Sequence, residues 1–273
     1  MTRADKIDFS AVRWGSVEWT NLGTLYLRAC DSRSPRPILG DVAAADAVNR
    51  IDYDWARMHR AVPPGLNRWL VALRAVRLDT WSTGFLRDHP DAAVLHLGCG
   101  MDTRAFRLHP PHGVRWFDVD QPNVIELRRK LYDDHDGYRM IGSSVTDPDW
   151  LEEIPADRPA LIIAEGLLMY LREPQVRTLL QRLTDRFTGG ELLFDTLSPL
   201  GPRLSKIFRK GIVTWGVRDG RELESWNPRL RFLEGASALA GSERIPDTTP
   251  RLLCRLLCAT PAGKYDVLNR FAF

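Results

Sequence analysis

An α/β fold with a mainly parallel sheet is what this 273-residue sequence predicts, and three observations carry it. From about residue 91, short apolar runs alternate with longer amphipathic ones, the pattern of strands joined by crossover helices. The apolar runs are close to continuous, as strands covered on both faces are. One of them, "VLHLGCG" at 94–100, ends in two glycines where a strand gives way to a helix, and ligands of such sheets bind beyond the carboxyl ends of the strands.

Taken in order, residues 1–90 hold "PRPILGD", "AVPPG" and several aromatic-rich helical pieces but no glycine-rich strand-to-helix turn, so they are expected to form a helical cap. The strands expected after it are "AVLHLGC", "VRWFDVD", "YRMIGSSV", "ALIIAEG" and "ELLFDTL". Between them, the charged segment after the glycines, "QPNVIELRRKLYDDH" and "REPQVRTLLQRLTDRF" read as helices. In the last of these Val176, Leu179, Leu180, Leu183 and Phe187 share one face, and Gly189 and Gly190 stop it. A sixth strand, "LRFLEG", a helix, "TPRLLCRLLCA", and a seventh strand, "YDVLNRFAF", close the sheet.

Composition excludes more than it nominates. A formal charge of +3 on 38 basic and 35 acidic residues gives no reason to expect a nucleic-acid partner. No apolar run reaches the roughly 20 residues that span a bilayer, and "MTRADKIDFS" lacks a signal-peptide core, so a cytoplasmic, non-membrane protein is expected. Cys30, Cys99, Cys254 and Cys258 form no CxxC pair; Cys254 and Cys258 read as core-facing residues of one helix rather than a metal site.

Gly98 and Gly100 allow a tight turn and the close approach of a ligand that a Cβ would block. About 20 residues on, "VRWFDVDQP" ends a strand at Asp118 and Asp120, and an acid at that end accepts the hydroxyl hydrogens of a ribose. The dinucleotide fingerprint wants a third glycine where this chain has Thr103. S-adenosylmethionine (SAM) carries a ribose but no pyrophosphate, so the residues favour it over NAD.

These blocks resemble the leucine carboxyl methyltransferase family, in its bacterial branch of polyketide O-methyltransferases. The resemblance rests on "RAVRLD" (74–79), "LGCGMDTRAFRL" (97–108), "WFDVDQPNVIELRR" (116–129), "MIGSSVTDPDWL" (140–151), "IAEGLLMYL" (163–171) and "ELLFDTLSPL" (191–200), and extends from about Tyr26 to the C-terminus. It implies one Rossmann-like, SAM-dependent methyltransferase domain over 1–273: a seven-stranded, mainly parallel sheet with its last strand antiparallel in a core at 91–273, a cap at 1–90 and a substrate-covering insertion at about 198–228. It further implies that the SAM carboxylate meets Arg74, with Arg77 as the neighbouring candidate and Arg28 as a weaker N-terminal match. Gly98 and Gly100 form the cofactor turn, Asp120 takes the ribose with Gln121 beside it, and Glu165 lies next to the cofactor. Ser144 and Val145 fall on the adenine side, where the family's aspartate is absent and Asp147 competes. Tyr170 is expected near the acceptor.

Methyl transfer needs mainly orientation and a dry pocket. A carboxylate acceptor is already an anion at pH 7, whereas a phenol, with a pKa near 10, gains from a base. None of the six histidines stands where a base is expected, which favours a carboxylate of a small polyketide-like acid, with a phenolic hydroxyl as the alternative. An NAD-dependent oxidoreductase and a noncatalytic SAM-binding protein are the further readings. From 200 to 273 there are 13 basic and 7 acidic residues, a balance that suits an acidic acceptor.

Overall fold

The computed structural model describes residues 6–208 and 212–273; residues 1–5 of the expected cap and 209–211 of the expected covering insertion lie outside them. Seven strands form the central sheet: β1 (Ala93–Leu97), β2 (Arg115–Asp120), β3 (Tyr138–Gly142), β4 (Ala160–Ala164), β5 (Gly190–Leu197), β6 (Arg231–Ser237) and β7 (Asp266–Ala272). Their order across the sheet is β3-β2-β1-β4-β5-β7-β6. The first five run parallel, and β7 is antiparallel to both β5 and β6.

The apolar runs bury both faces because each face has its own layer. Leu95, Leu97, Phe117, Val119 and Ile162 pack with α7 (Glu173–Arg186) through Val176, Leu179, Leu180 and Leu183. On the other face, Val94, Trp116, Leu161 and Leu193 pack with the C-terminal half of α4 (Pro64–Asp88), through Leu78, Trp81, Phe85 and Leu86. Thus α4, which falls in the segment expected as cap, covers the sheet directly.

Ahead of it, α1 (Val17–Ser32), α2 (Val42–Arg50) and α3 (Trp55–Ala61) each start at a side-chain cap. Ser16, Asp41 and Asp54 accept from the backbone N–H groups of Trp19, Ala44 and Arg57. These helices share an apolar cluster with Met101 and Val124 of the core, so they sit over the carboxyl ends of β1 and β2. A two-residue parallel ladder, Ile7–Asp8 on Ile51–Asp52, ties the N-terminal segment to them.

Three elements differ from expectation. The helix after the glycine turn, α5 (Arg104–Arg107), is one turn long. The helix expected over 121–135 is α6 (Pro122–Arg129) only: beyond Tyr132 the run Asp133, Asp134, His135, Asp136 has nothing to bury, and Gly137, at φ +82°, turns the chain into β3. The glycines at 189 and 190 do not stop α7. It ends at Arg186 because buried Phe187 adopts an extended backbone, and Gly190 serves the sheet instead. In the C-terminal part α8 (Leu200–Phe208) follows β5, and α9 (Thr248–Cys258) buries Cys254 against Trp69, Leu73 and Ile245. No helix among the described residues is long and apolar enough to cross a membrane.

A Cβ at Gly190 would lie 1.9 Å from the carbonyl oxygen of Ala160, a backbone atom fixed in the neighbouring strand. Gly190→Ala is expected to destabilise the protein by about 1–3 kcal/mol, the usual cost of overpacking, read as a lowered midpoint in urea unfolding; an unchanged midpoint would show that β4 and β5 do not meet this closely.

Candidate active site

The turn after β1 places two glycines in the left-handed region, Gly98 at φ +62° and Gly100 at φ +51°. Space is as tight as conformation: a Cβ would come within 2.9 Å of the Leu167 side chain at Gly98 and of the Asn21 side chain at Gly100. The turn is held by Asp120 at the end of β2, whose Oδ2 accepts from Gly100 N (2.7 Å) and whose Oδ1 accepts from Gln121 N (2.7 Å). Burial pushes the Asp120 carboxyl above its ordinary range, with the two backbone N–H groups opposing.

Asp118 shares the strand face of Asp120 but has a different task. It accepts from Trp116 Nε1 (2.9 Å), Tyr138 Oη (2.6 Å) and His96 Nδ1 (3.1 Å), and it pairs with Arg128, which also donates to the Gly100 carbonyl (3.1 Å). Burial pushes its carboxyl up, but Arg128, His96 and Tyr138 outweigh that and hold it at about 2. The glycine turn is thus pinned from behind by a buried ion pair.

In front of the turn lies a lattice of arginines and carboxylates. Glu165, directly after β4, accepts from Arg74 Nε (2.9 Å), Arg104 Nη2 (2.5 Å) and Arg28 Nη2 (3.3 Å). Asp102 pairs with Arg28 (3.0 Å) and Arg107 (2.5 Å), and Asp79 receives Nε of both Arg104 and Arg107 (2.7 Å each). Asp195 of β5 accepts from Gly166 N (2.7 Å) and Arg74 Nη1 (3.4 Å). Burial alone would raise Glu165 and Asp102; the facing arginines reverse the sign and hold both well below the carboxylate range. Asp195, buried and near Glu165, is raised despite Arg74 and the Gly166 N–H.

Between α1 and the ends of β1 and β4 this lattice floors a cavity of about 510 Å³. Three of its lining residues keep a buried polar atom with no hydrogen-bond partner among the described residues: Trp19 Nε1, Asn21 Nδ2 and Arg28 Nε. Unpaired donors around two Cβ-free positions, beside the carboxylates of Asp102 and Glu165, fit a ligand that brings its own acceptors and positive charge, as SAM does. A second cavity, of about 370 Å³, shares Arg74, Met169 and Tyr170 with the first and has Leu197, Leu204 and Val213 among its apolar walls.

Of the residues singled out in the sequence, Arg28, Arg74, Gly98, Gly100, Glu165 and Tyr170 line the first cavity. Asp120 and Gln121 stand behind its glycine turn. Ser144 and Val145 do not line it: Ser144 Oγ bonds Thr146 Oγ1 (2.8 Å), and Val145 is buried in the layer under α7. Arg77 is a correction. Less than a turn beyond Arg74, it points toward β6, where it lies 3.7 Å from Glu234 and over the ring of Trp81. Asp79, Asp102, Arg104, Arg107 and Asp195 were missed, although three of them lie in or beside the quoted glycine block and their charge density in a buried stretch was the available signal.

The leucine carboxyl methyltransferase family profile matches residues 21–184. The chain is 47% identical over 233 residues to tetracenomycin polyketide synthesis O-methyltransferase TcmP of Streptomyces glaucescens, covering 84% of this chain and 85% of that protein. It is 36% identical over 252 residues to the S-adenosyl-L-methionine-dependent methyltransferase dpfgK of Gibberella zeae, covering 84% of each. A crystal structure of a Thermobifida fusca protein described as a methyltransferase shares the fold at 18% identity, with a TM-score of 0.57 over 95% of this chain and 98% of that one.

Glu165 binds its proton less readily folded than unfolded, so its contribution to stability is present above about pH 4.5 and is lost as pH falls toward its depressed folded value. Glu165→Gln, which leaves buried arginines short of charge, is expected to cost about 3–5 kcal/mol at pH 7 and to flatten the fall in stability below pH 5. Urea unfolding between pH 3 and 7 checks both; an unchanged slope below pH 5 would refute the assignment.

Proposed function

Because the chain belongs to the leucine carboxyl methyltransferase family, and is with it a SAM-dependent methyltransferase, we propose that it esterifies a carboxylate of a small, polyketide-like acid. The observation that carries this reading is Arg74. Its side chain keeps 20% of its surface open and stands at the junction of the two cavities, the one guanidinium among the described residues that faces both. A guanidinium there suits a carboxylate, and the apolar walls of the second cavity suit the body of an organic acid. The polyketide in the name of the Streptomyces relative agrees with that class.

SAM, when bound, supplies a methyl group on a positively charged sulfur. In this reading Gly98 and Gly100 let it approach the backbone, Asp120 takes its ribose hydroxyls with Gln121 beside it, and Arg28 and Arg74 face its carboxylate over Glu165. Ser144 and Val145 lie farther along, on the adenine side. Helices α1–α3, within the cap segment 1–90, close the cofactor side, while the insertion at about 198–228 covers the acceptor. Tyr170, 45% exposed at the junction of the cavities, borders the reacting atoms.

No general base is required for a carboxylate. His96, the histidine lining the first cavity, has both ring nitrogens engaged: Nδ1 donates to Asp118 and Nε2 accepts from Arg104 Nη1 (3.3 Å). The chain's task is to hold the acceptor in line and keep water out.

Incubation with SAM and a panel of aromatic acids is expected to yield methyl esters and S-adenosylhomocysteine, identified by mass spectrometry; methyl ethers with no ester would move the acceptor to a phenol. Asp120→Ala is expected to weaken SAM by more than about 1 kcal/mol, as the loss of charge-assisted hydrogen bonds does, and calorimetry on the folded variant reads it. Equal affinity would remove Asp120 from the cofactor site.

A further inference from the structure

The second cavity holds a charged group that esterification does not use. Asp266, the first residue of β7, lines it together with Met169 and Val213, and also lines a smaller cavity of about 280 Å³; both cavities include Arg74 and Tyr265. Its carboxyl is poorly satisfied. Oδ1 is enclosed with no hydrogen-bond partner among the described residues, and Oδ2 stands 3.9 Å from Arg74 Nη1. A quarter of the side chain stays open. An acid with so little local support is costly unless a ligand donates to it.

The charge around it selects the donor. Arg74 of α4 faces it at 3.9 Å, Asp195 of β5 lies beyond that guanidinium, and Glu165 follows β4. Tyr170 and Tyr265 share the wall. An ammonium would meet Arg74 at close range, whereas a neutral hydroxyl keeps the Arg74 contact and completes the carboxylate. Ser205, whose Oγ accepts from Val213 N (3.0 Å), donates to no partner among the described residues and lies along the same wall, so the cavity offers further neutral hydrogen bonding.

We propose that Asp266 determines acceptor specificity by accepting a hydrogen bond from a hydroxyl group, so that the acid esterified is a hydroxy acid with its carboxylate toward Arg74 and its hydroxyl toward Asp266. The proposal rests on the carboxylate reading above for the substrate's other end. Burial first, then Asp195 and Glu165, push the Asp266 carboxyl up to about 7 against the pull of Arg74, so it gains hydrogen-bonding strength as pH rises through neutrality. The sign for stability is the reverse: a carboxyl raised on folding binds more protons folded than unfolded, so wild-type stability falls between about pH 4 and 7 through this group.

The test uses the full chain loaded with S-adenosylhomocysteine and titrated with 2-naphthoate and its monohydroxy isomers at pH 6 and 8. At least one isomer is expected to bind about tenfold or more tightly than the parent acid at pH 8, the gain of a hydrogen bond to a charged group, and less so at pH 6. Asp266→Ala is expected to abolish the preference with S-adenosylhomocysteine affinity unchanged. Asp266→Asn, which keeps an amide oxygen in the same shape, is expected to remove its pH dependence and to gain stability over wild type from pH 5 to 7.5. A wild-type protein that binds no isomer in preference to the parent, or variants that keep the pH-dependent preference, would overturn the proposal. Ester formation on all acids alike would sink Asp266 and leave the carboxylate reading standing; a hydroxyl preference without ester formation would do the opposite.

Discussion

Glu165 is the point on which the site's geometry depends. Its carboxylate sits at the end of a central strand with 4% of its side chain open, and a buried ion costs several kcal/mol unless partners surround it. Three guanidiniums do so, from α1, α4 and α5. Apolar packing alone would let α1 slide over the sheet; guanidinium forks directed at one carboxylate fix both its depth and its direction. The same arginines are shared with Asp102, Asp79 and Asp195, so the helices over the sheet are located relative to one another as well as to β4. Two of its carboxylates, Asp102 and Glu165, line the cavity whose proposed occupant carries a positive sulfur.

A second buried network lies behind the glycine turn, and His96 joins the two. From the middle of β1 it donates through Nδ1 to Asp118 and accepts through Nε2 from Arg104, an assignment of tautomer that its partners require. The path Arg104, His96, Asp118, Arg128, Gly100 carbonyl therefore runs from the charged floor of the cavity to the backbone of the turn. This accounts for the one polar residue in a strand that is otherwise apolar. It also explains why Asp118 and Asp120, two residues apart on one strand, end in different surroundings: one compensates a buried arginine, the other caps backbone N–H groups at the cavity edge.

The strands were legible because their signal is local. A run such as "ALIIA" reports burial on both faces whatever surrounds it, and the glycine pair followed by an acid at the next strand's end reports a ligand turn. The lattice was not legible, because most of the acids that Arg104 and Arg107 meet lie 25 to 66 residues away in sequence and only the fold brings them together. Arg74 and Arg77 could not be told apart for a subtler reason: both are arginines on one helix, and only the phase of α4 against the sheet decides that the first faces Glu165 and the second Glu234. The glycines after α7 carried a true signal attached to the wrong cause, since close strand approach and helix termination both call for glycine.

The two sides of the site are built by different forces, and this bears on how a family can keep one cofactor while changing acceptors. The side we assign to the cofactor is an ion-pair lattice in which removing one member leaves another charge buried and unpaired, so substitution there propagates through α1, α4 and α5. The side we assign to the acceptor is walled by Leu197, Leu204 and Val213, with α8 contributing Leu200 and Ile207 to the surface at 52% and 71% exposure. A change of size at Leu204 or Val213 alters local packing and cavity shape without disturbing any charge pair. Arg74 belongs to both sides and cannot be exchanged so freely: its guanidinium is committed to Glu165 and Asp195 before any acceptor arrives. If the acceptor is the carboxylic acid proposed above, a wall free to vary around a fixed cation confines variation to the body of the substrate and holds the position of its acidic group constant.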